Sequence, residues 1–214
     1  LPVIGIKTAM KLIREGPKDA LLEKLKEAEK LQKKEKRHLL PYASLVASEV
    51  ISYLKSEKSV KRADPLGSLR RKASTVGDID IAVAVKDSKD AKVKVIDYFA
   101  KYPKTQKIIE KGDCTASILL PGNVQVDLLV SDEDAYGAAL QHFTGSKHHN
   151  IALREYALKK GLSLSEYGIK NLRNNELKKL RTEEEFYNYL GLDYIEPELR
   201  EDMGEIEAAR ERKL

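Results

Sequence analysis

Two short apolar runs carry carboxylates at their leading ends, and this pairing constrains the chain more than any other feature. In the first, Gly77-Asp78-Ile79-Asp80 leads into Ile81-Ala82-Val83-Ala84-Val85. In the second, Gln125-Val126-Asp127 leads into Leu128-Leu129-Val130. Side chains alternate along a strand, so the spacing predicts that Asp78 and Asp80 share a face. Asp127 can join them if the two strands lie side by side. Charges on an otherwise apolar strand are costly unless they are paired or hold a metal. Three carboxylates on one sheet face repel one another unless a divalent cation sits among them, and hard oxygen donors suit Mg²⁺ or Mn²⁺.

Upstream stands Gly67-Ser68-Leu69-Arg70-Arg71. A Gly-Ser pair at the start of a helix lets backbone amides approach phosphate oxygens, and arginine adds a charge-assisted fork. Gly-Ser alone is an ordinary loop, and Asp-x-Asp alone is often a solvated turn. Ser68, Arg71 and Gly77 standing before a strand flanked by Ile79, Ile81 and Val83 form a far more specific combination. The expected chemistry is nucleotidyl transfer.

The 214 residues, 42% hydrophobic and 34% charged, suffice for one large or two to three small domains with a buried core. A net charge of +5 from mixed signs favours an anionic partner over a simple polybasic tail. Cys114 is the single cysteine, which excludes a disulfide framework and a cysteine zinc site, and its apolar neighbours predict a buried thiol. No stretch is long and apolar enough to span a membrane, so a reducing cytoplasmic, nucleoid-associated location is expected. The first residue is Leu1 rather than Met, as in a fragment or processed chain.

Periodicity divides the chain into three blocks. Residues 1–40 read as a short apolar turn and two charged helices, Thr8–Ile13 and Lys18–Lys36. Residues 41–133 read as a helix near Tyr42–Lys55, a strand over Asp78–Val85, a helix over Ala91–Lys101, and strands Ala116–Leu120 and Val124–Val130 joined by Pro121-Gly122-Asn123. Residues 134–214 read as helices Ala135–Phe143, Ser146–Lys160 and Thr182–Leu190, with a small strand pair near Glu166-Tyr167-Gly168 and an exposed charged helix after Pro197. The expected class is α+β: a palm built on a small mixed or antiparallel sheet, flanked by helical subdomains.

Gly67-Ser68, Gly77-Asp78-Ile79-Asp80, Val126-Asp127 and Phe143-Thr144-Gly145-Ser146 occur in the order seen in family X DNA polymerases, and the chain resembles the bacterial members most. Ser165-Glu166-Tyr167-Gly168 strengthens that resemblance over the wider nucleotidyltransferase superfamily. It implies that Asp78, Asp80 and Asp127 bind two Mg²⁺ or Mn²⁺ ions, and that Ser68, Arg71 and Gly77 contact the triphosphate of a dNTP. Phe143 and Gly145 would pack against the nucleotide sugar, next to a cis Gly145-Ser146 peptide. Asn150 and Arg154, one helical turn apart, would touch the minor groove of the nascent base pair. Residues 1–40 resemble a helix-hairpin-helix in which Lys7 and Thr8 approach primer phosphates, with a monovalent cation, although Val3 replaces the usual first glycine.

Two positions depart from the family pattern. His142 replaces the usual Tyr before Phe-Thr-Gly, and Gln125 stands where the vertebrate enzymes carry Arg. The His148-His149 pair is expected to be solvated or to face the DNA backbone, since adjacent helical residues diverge by about 100 degrees and make a poor zinc site. The resemblance places a lyase domain before Leu1 and a phosphoesterase domain after the tail, so neither lyase nor exonuclease activity is expected of these residues. The expected function is template-directed filling of short gaps in primer-template or gapped DNA by a monomer. The alternatives are an untemplated or RNA- or small-molecule-directed transferase, and a non-catalytic DNA-binding scaffold.

Overall fold

The computed structural model describes residues 37–86 and 88–214. The expected helix-hairpin-helix, with Lys7 and Thr8, lies outside the described residues. Within them the elements are β1 (His38–Leu39), α1 (Leu40–Leu54), β2 (Val60–Pro65), α2 (Gly67–Arg70), β3 (Thr75–Val76), β4 (Ile79–Val85), α3 (Lys89–Ala100), β5 (Lys107–Lys111), β6 (Thr115–Leu120) and β7 (Val124–Asp132). There follow α4 (Tyr136–Thr144), α5 (Lys147–Lys159), β8 (Leu162–Ser165), β9 (Gly168–Asn171), β10 (Leu177–Lys178), α6 (Glu183–Leu190) and α7 (Glu205–Arg210).

A five-stranded mixed sheet runs in the order β2-β4-β7-β6-β5. β4 and β7 are parallel, and the other neighbours are antiparallel. Of the mixed and antiparallel forms expected, the sheet takes the mixed one: the two acid-bearing strands run the same way. The β6–β7 hairpin forms as expected, with Gly122 and Asn123 both at positive φ.

One sheet face is closed by α1 and α3. Ala43, Val50 and Leu54 from α1, with Val95, Ile96 and Phe99 from α3, pack on Ile79, Ile81, Val83, Val126 and Leu128. The opposite face is covered over only part of its extent, where Tyr136 and Leu140 of α4 meet Ala82 and Ala84. β4 is therefore apolar on both sides along most of its length, which explains its unbroken apolar run. Tyr136 ties α4 to the sheet by donating to Asp64 Oδ2 at 2.9 Å and to the Ala82 carbonyl at 3.0 Å.

A second core gathers α4 to α7 and the β8–β9–β10 sheet. It holds Leu153, Ala157, Ile169, Phe186, Tyr187, Leu190 and Ile195, together with Ile206 and Ala209 of α7. The tail is thus not an exposed helix: Arg200 is fully buried, and α7 turns Glu205, Ile206 and Ala209 inward. Thr182 caps α6 by accepting from the Glu185 amide, three acidic residues occupy the first turn, and Gly191 ends the helix in the left-handed region. Cys114 also departs from expectation. It lies just before β6, half-buried.

Candidate active site

Asp80 and Asp127 are direct register partners in the parallel β4–β7 pair. They lie on the face that α4 leaves open, near the leading ends of both strands. Asp78 departs from its expected place: the strand begins at Ile79, and Asp78 sits in the bend before it, exposed. Even so, its charge is felt. Burial, then Asp127, then Asp78 push the Asp80 carboxyl up to about 7. A sheet face that forces a carboxyl so far from its ordinary range is one where a hard divalent cation would relieve both burial and repulsion. The donor set fits Mg²⁺ or Mn²⁺, although among the described residues no three acidic, histidine or cysteine side chains already converge on one coordination point.

Gln125 lies two residues from Asp127 on the same strand face, and its amide donates to both Asp127 oxygens at 3.0 and 3.1 Å. Gln125 therefore braces the third aspartate through a neutral group.

The Gly-Ser turn is bound to β4 through its backbone. The Leu66 amide donates to the Asp80 carbonyl at 2.8 Å. Gly67 has φ +56, and a Cβ there would stand 2.7 Å from Asp80 Oδ2, so both the turn and the close approach require glycine. Ser68 follows in α2, and Gly77 lies in the bend before Asp78, each half-buried.

Arg71 reaches from α2 across to the end of α4. Its Nη1 donates to the Thr144 carbonyl at 2.5 Å, and its Nε pairs with Glu201 at 2.8 Å. A triphosphate at this turn would compete with Glu201 for the same guanidinium. Gly145 follows at φ +73, its missing Cβ 3.1 Å from Arg71 Nη1, and the Gly145–Ser146 peptide is cis.

Beyond Gly145, Ser146 caps α5 by accepting from the His149 amide. Asn150 and Arg154 share one face of α5, as their spacing requires, and both meet His142. Asn150 donates to the His142 carbonyl at 2.7 Å and accepts from Gln141 at 2.8 Å, while Arg154 approaches His142 Nδ1 at 3.4 Å. Burial draws the His142 imidazole below its ordinary value, with Glu166 opposing and Arg154 adding. Phe143 is partly exposed and packs beside His142, ring centroids 4.8 Å apart.

The expectation for His149 is overturned. It is fully buried between Glu205 at 2.6 Å and the Tyr187 hydroxyl at 3.0 Å, which joins α5 to α6 and α7; His148 is exposed. Glu183 and Arg200 carried no sequence signal at all. Glu183 pairs with Arg70 of α2 and with Arg200 Nη1, the latter at 2.6 Å, and Arg200 also donates twice to the Ile195 carbonyl. Arg70 further donates to Thr144 Oγ1 at 2.6 Å. A salt-bridged network thus ties the Gly-Ser turn to the second core.

A cavity of about 320 Å³ opens over the acidic face, lined in part by Asp80, Asp127, Ser117, Thr115, Glu110 and Phe143. A larger cleft of about 590 Å³, bordered by Lys178, Arg181 and Tyr189, contains none of the residues expected at the site. The polar groups converge on the smaller one.

A mixed sheet with register-paired aspartates on its open face, and a glycine-led turn pressed against one of them, is the arrangement expected of a nucleotidyltransferase palm. Residues 139–201 match the family described as DNA polymerase beta thumb. The chain is 34% identical over 177 residues to the DNA polymerase/3'-5' exonuclease PolX of Bacillus subtilis, covering 82% of this chain and 30% of that protein. It is 28% identical over 165 residues to DNA polymerase lambda of Rattus norvegicus, covering 63% and 28%. To the repair DNA polymerase X of African swine fever virus it is 28% identical over 137 residues, covering 63% and 79%. The chain belongs to the family X DNA polymerases. It spans less than a third of the bacterial and rat relatives' lengths. Among the described residues no helix is long and apolar enough to cross a membrane.

Proposed function

We propose that the chain is a template-directed DNA polymerase that fills short gaps in duplex DNA from dNTPs. The observation that carries this reading is the direct pairing of Asp80 with Asp127 beside the Gly67-Ser68 turn. Residues 41–133 serve as the palm and 134–214 as the subdomain that holds the nucleotide and nascent base pair.

Asp78, Asp80 and Asp127 would hold two divalent cations, which when bound make a primer 3'-hydroxyl more acidic and neutralise charge on the leaving pyrophosphate. The amides and hydroxyl of Gly67-Ser68, Gly77 and the Arg71 fork bind and orient the triphosphate. Phe143 and Gly145 support the sugar, while Asn150 and Arg154 face the base pair. The 3'-oxygen bonds to the α-phosphorus as the α–β phosphoanhydride bond breaks; pyrophosphate departs and the hydroxyl proton passes to solvent. The side chains contribute chiefly by positioning the two reactants in line and by electrostatics.

The test is single-nucleotide insertion on a one-nucleotide-gapped duplex with Mg²⁺ and then Mn²⁺, alongside Asp127→Ala. Templated insertion that drops at least about a thousandfold in the variant supports the reading. Untemplated addition would replace it with a terminal transferase, and salt-sensitive DNA binding without insertion would replace it with a scaffold.

A further inference from the structure

The register of the sheet extends the acidic row beyond Asp127. Asp80 pairs with Asp127, Asp127 with Ser117, and Ser117 with Glu110, so four residues on four adjacent strands form one line across the open face. Glu110 owes its place to a bulge. Ile108 opposes Ile118, but the next pair is Glu110 with Ser117, so β5 carries Ile109 as an extra residue. A regular ladder would put Ile109 opposite Ser117 and Glu110 opposite Ala116. Bulges re-aim side chains, and they are common beside active sites. Here the bulge brings a carboxylate to the rim of the cavity that already holds Asp127, Ser117 and Thr115.

The two ends of the row face different reactants. Gly67 stands against Asp80, and Ser68 and Arg71 follow it through the same short helix, so on the polymerase reading the triphosphate lies at the Asp80 end. In-line displacement places the nucleophile opposite the leaving group, so the attacking strand end arrives from the other side of Asp127, over Ser117 and Glu110. Strands lie about 4.8 Å apart, which puts the Glu110 backbone about 10 Å from that of Asp127. That separation leaves room for one sugar between the two carboxylates.

Resting on the polymerase reading, we propose that Ser117 and Glu110 form a subsite that reads the end group of the primer strand. Ser117 is a positioning residue that hydrogen-bonds the terminal sugar. Glu110 favours a neutral 3'-hydroxyl and repels an end that carries a phosphate, a selectivity useful where gaps arise with blocked termini.

The test compares binding of one-nucleotide-gapped duplexes ending in 3'-hydroxyl or 3'-phosphate, by fluorescence anisotropy in chelator, for wild type, Glu110→Gln and Ser117→Ala. Wild type should prefer the hydroxyl end by about tenfold, as like-charge repulsion at short range predicts. Glu110→Gln should cut that ratio to about threefold while binding the hydroxyl end at least as tightly; the residual preference belongs to Asp80 and Asp127. Ser117→Ala should lower kcat for insertion about fivefold with KM for the dNTP unchanged. An unchanged end-group ratio in Glu110→Gln, or equal binding of both ends by wild type, overturns the proposal. Insertion failing while Glu110→Gln still narrows the ratio would refute the polymerase reading and leave the end-reading subsite standing.

Discussion

Glu183→Gln is the most informative perturbation of the fold, because this carboxylate pairs with two arginines, one of them wholly buried. Glu183 is 3% exposed and Arg200 0%, and Arg70 reaches the same carboxylate from α2. Burial alone would raise the Glu183 carboxyl, but hydrogen bonds and charge from Arg70 and Arg200 overcome it and hold the group below its ordinary value. Replacing the carboxylate with an amide keeps the volume. It leaves Arg200 with an uncompensated charge and turns one acceptor into a donor facing guanidinium N–H groups. Removing one partner of a buried pair costs about 3–5 kcal/mol, a large part of the roughly 5–15 kcal/mol of a typical domain. The pH dependence separates this cause from lost packing. A carboxyl lowered in the folded state stabilises above its unfolded value and loses that contribution as pH falls through the folded one. Urea denaturation should therefore show the full cost at pH 7.5 and a shrinking cost below about pH 4.5. A cost under about 1 kcal/mol at pH 7.5, or one independent of pH, would refute the network as an electrostatic tie.

Asp80→Asn should stabilise the apo-protein in chelator at pH 8: the gap between an ordinary carboxyl and one at about 7 is worth at most about 4 kcal/mol. Because the folded value is raised, the penalty is absent below about pH 4 and grows to about pH 7, so thermal midpoints of wild type and variant should diverge across that window. Gln125→Leu removes both hydrogen bonds from its amide nitrogen to Asp127 and should lower kcat about tenfold with dNTP KM little changed, read by steady-state insertion. Gly137→Ala should cost more than about 2 kcal/mol in urea, since the added Cβ would stand 2.2 Å from the Thr182 backbone.

The acidic strands were legible because their signal is local. An apolar run with a carboxylate at its head can be read within seven residues, as can the Pro121-Gly122-Asn123 hairpin and the Asn150/Arg154 helical spacing. The edge strands were not. β2 reads Val60-Lys-Arg-Ala-Asp-Pro65, with charges and a terminal proline that suit an edge and mask the alternation. β5 is exposed at every position, so no burial pattern exists to be read. His149 misled for the opposite reason. A histidine in the first turn of a charged helix looks solvated, and only tertiary packing brings Glu205, 56 residues on, against its Nδ1. Arg200 and Glu183 belong to the same class, because charged residues are rarely buried unless paired and the pairing partners are remote in sequence.

These remote pairings make the first core's site depend on the second core. Nothing in β4 or β7 fixes where Arg71 points: its guanidinium is set by the Thr144 carbonyl and Glu201, both beyond the sheet. Arg70, next to it on α2, is held by Thr144 and Glu183. The sheet supplies two aspartates in register, the first core keeps that register rigid, and the second core holds the two arginines that follow the Gly-Ser turn. A variant that loosens Glu183 should therefore raise KM for the dNTP while Asp80 and Asp127 stay paired. A kcat loss at constant KM would place the damage at the carboxylates and contradict this division of labour.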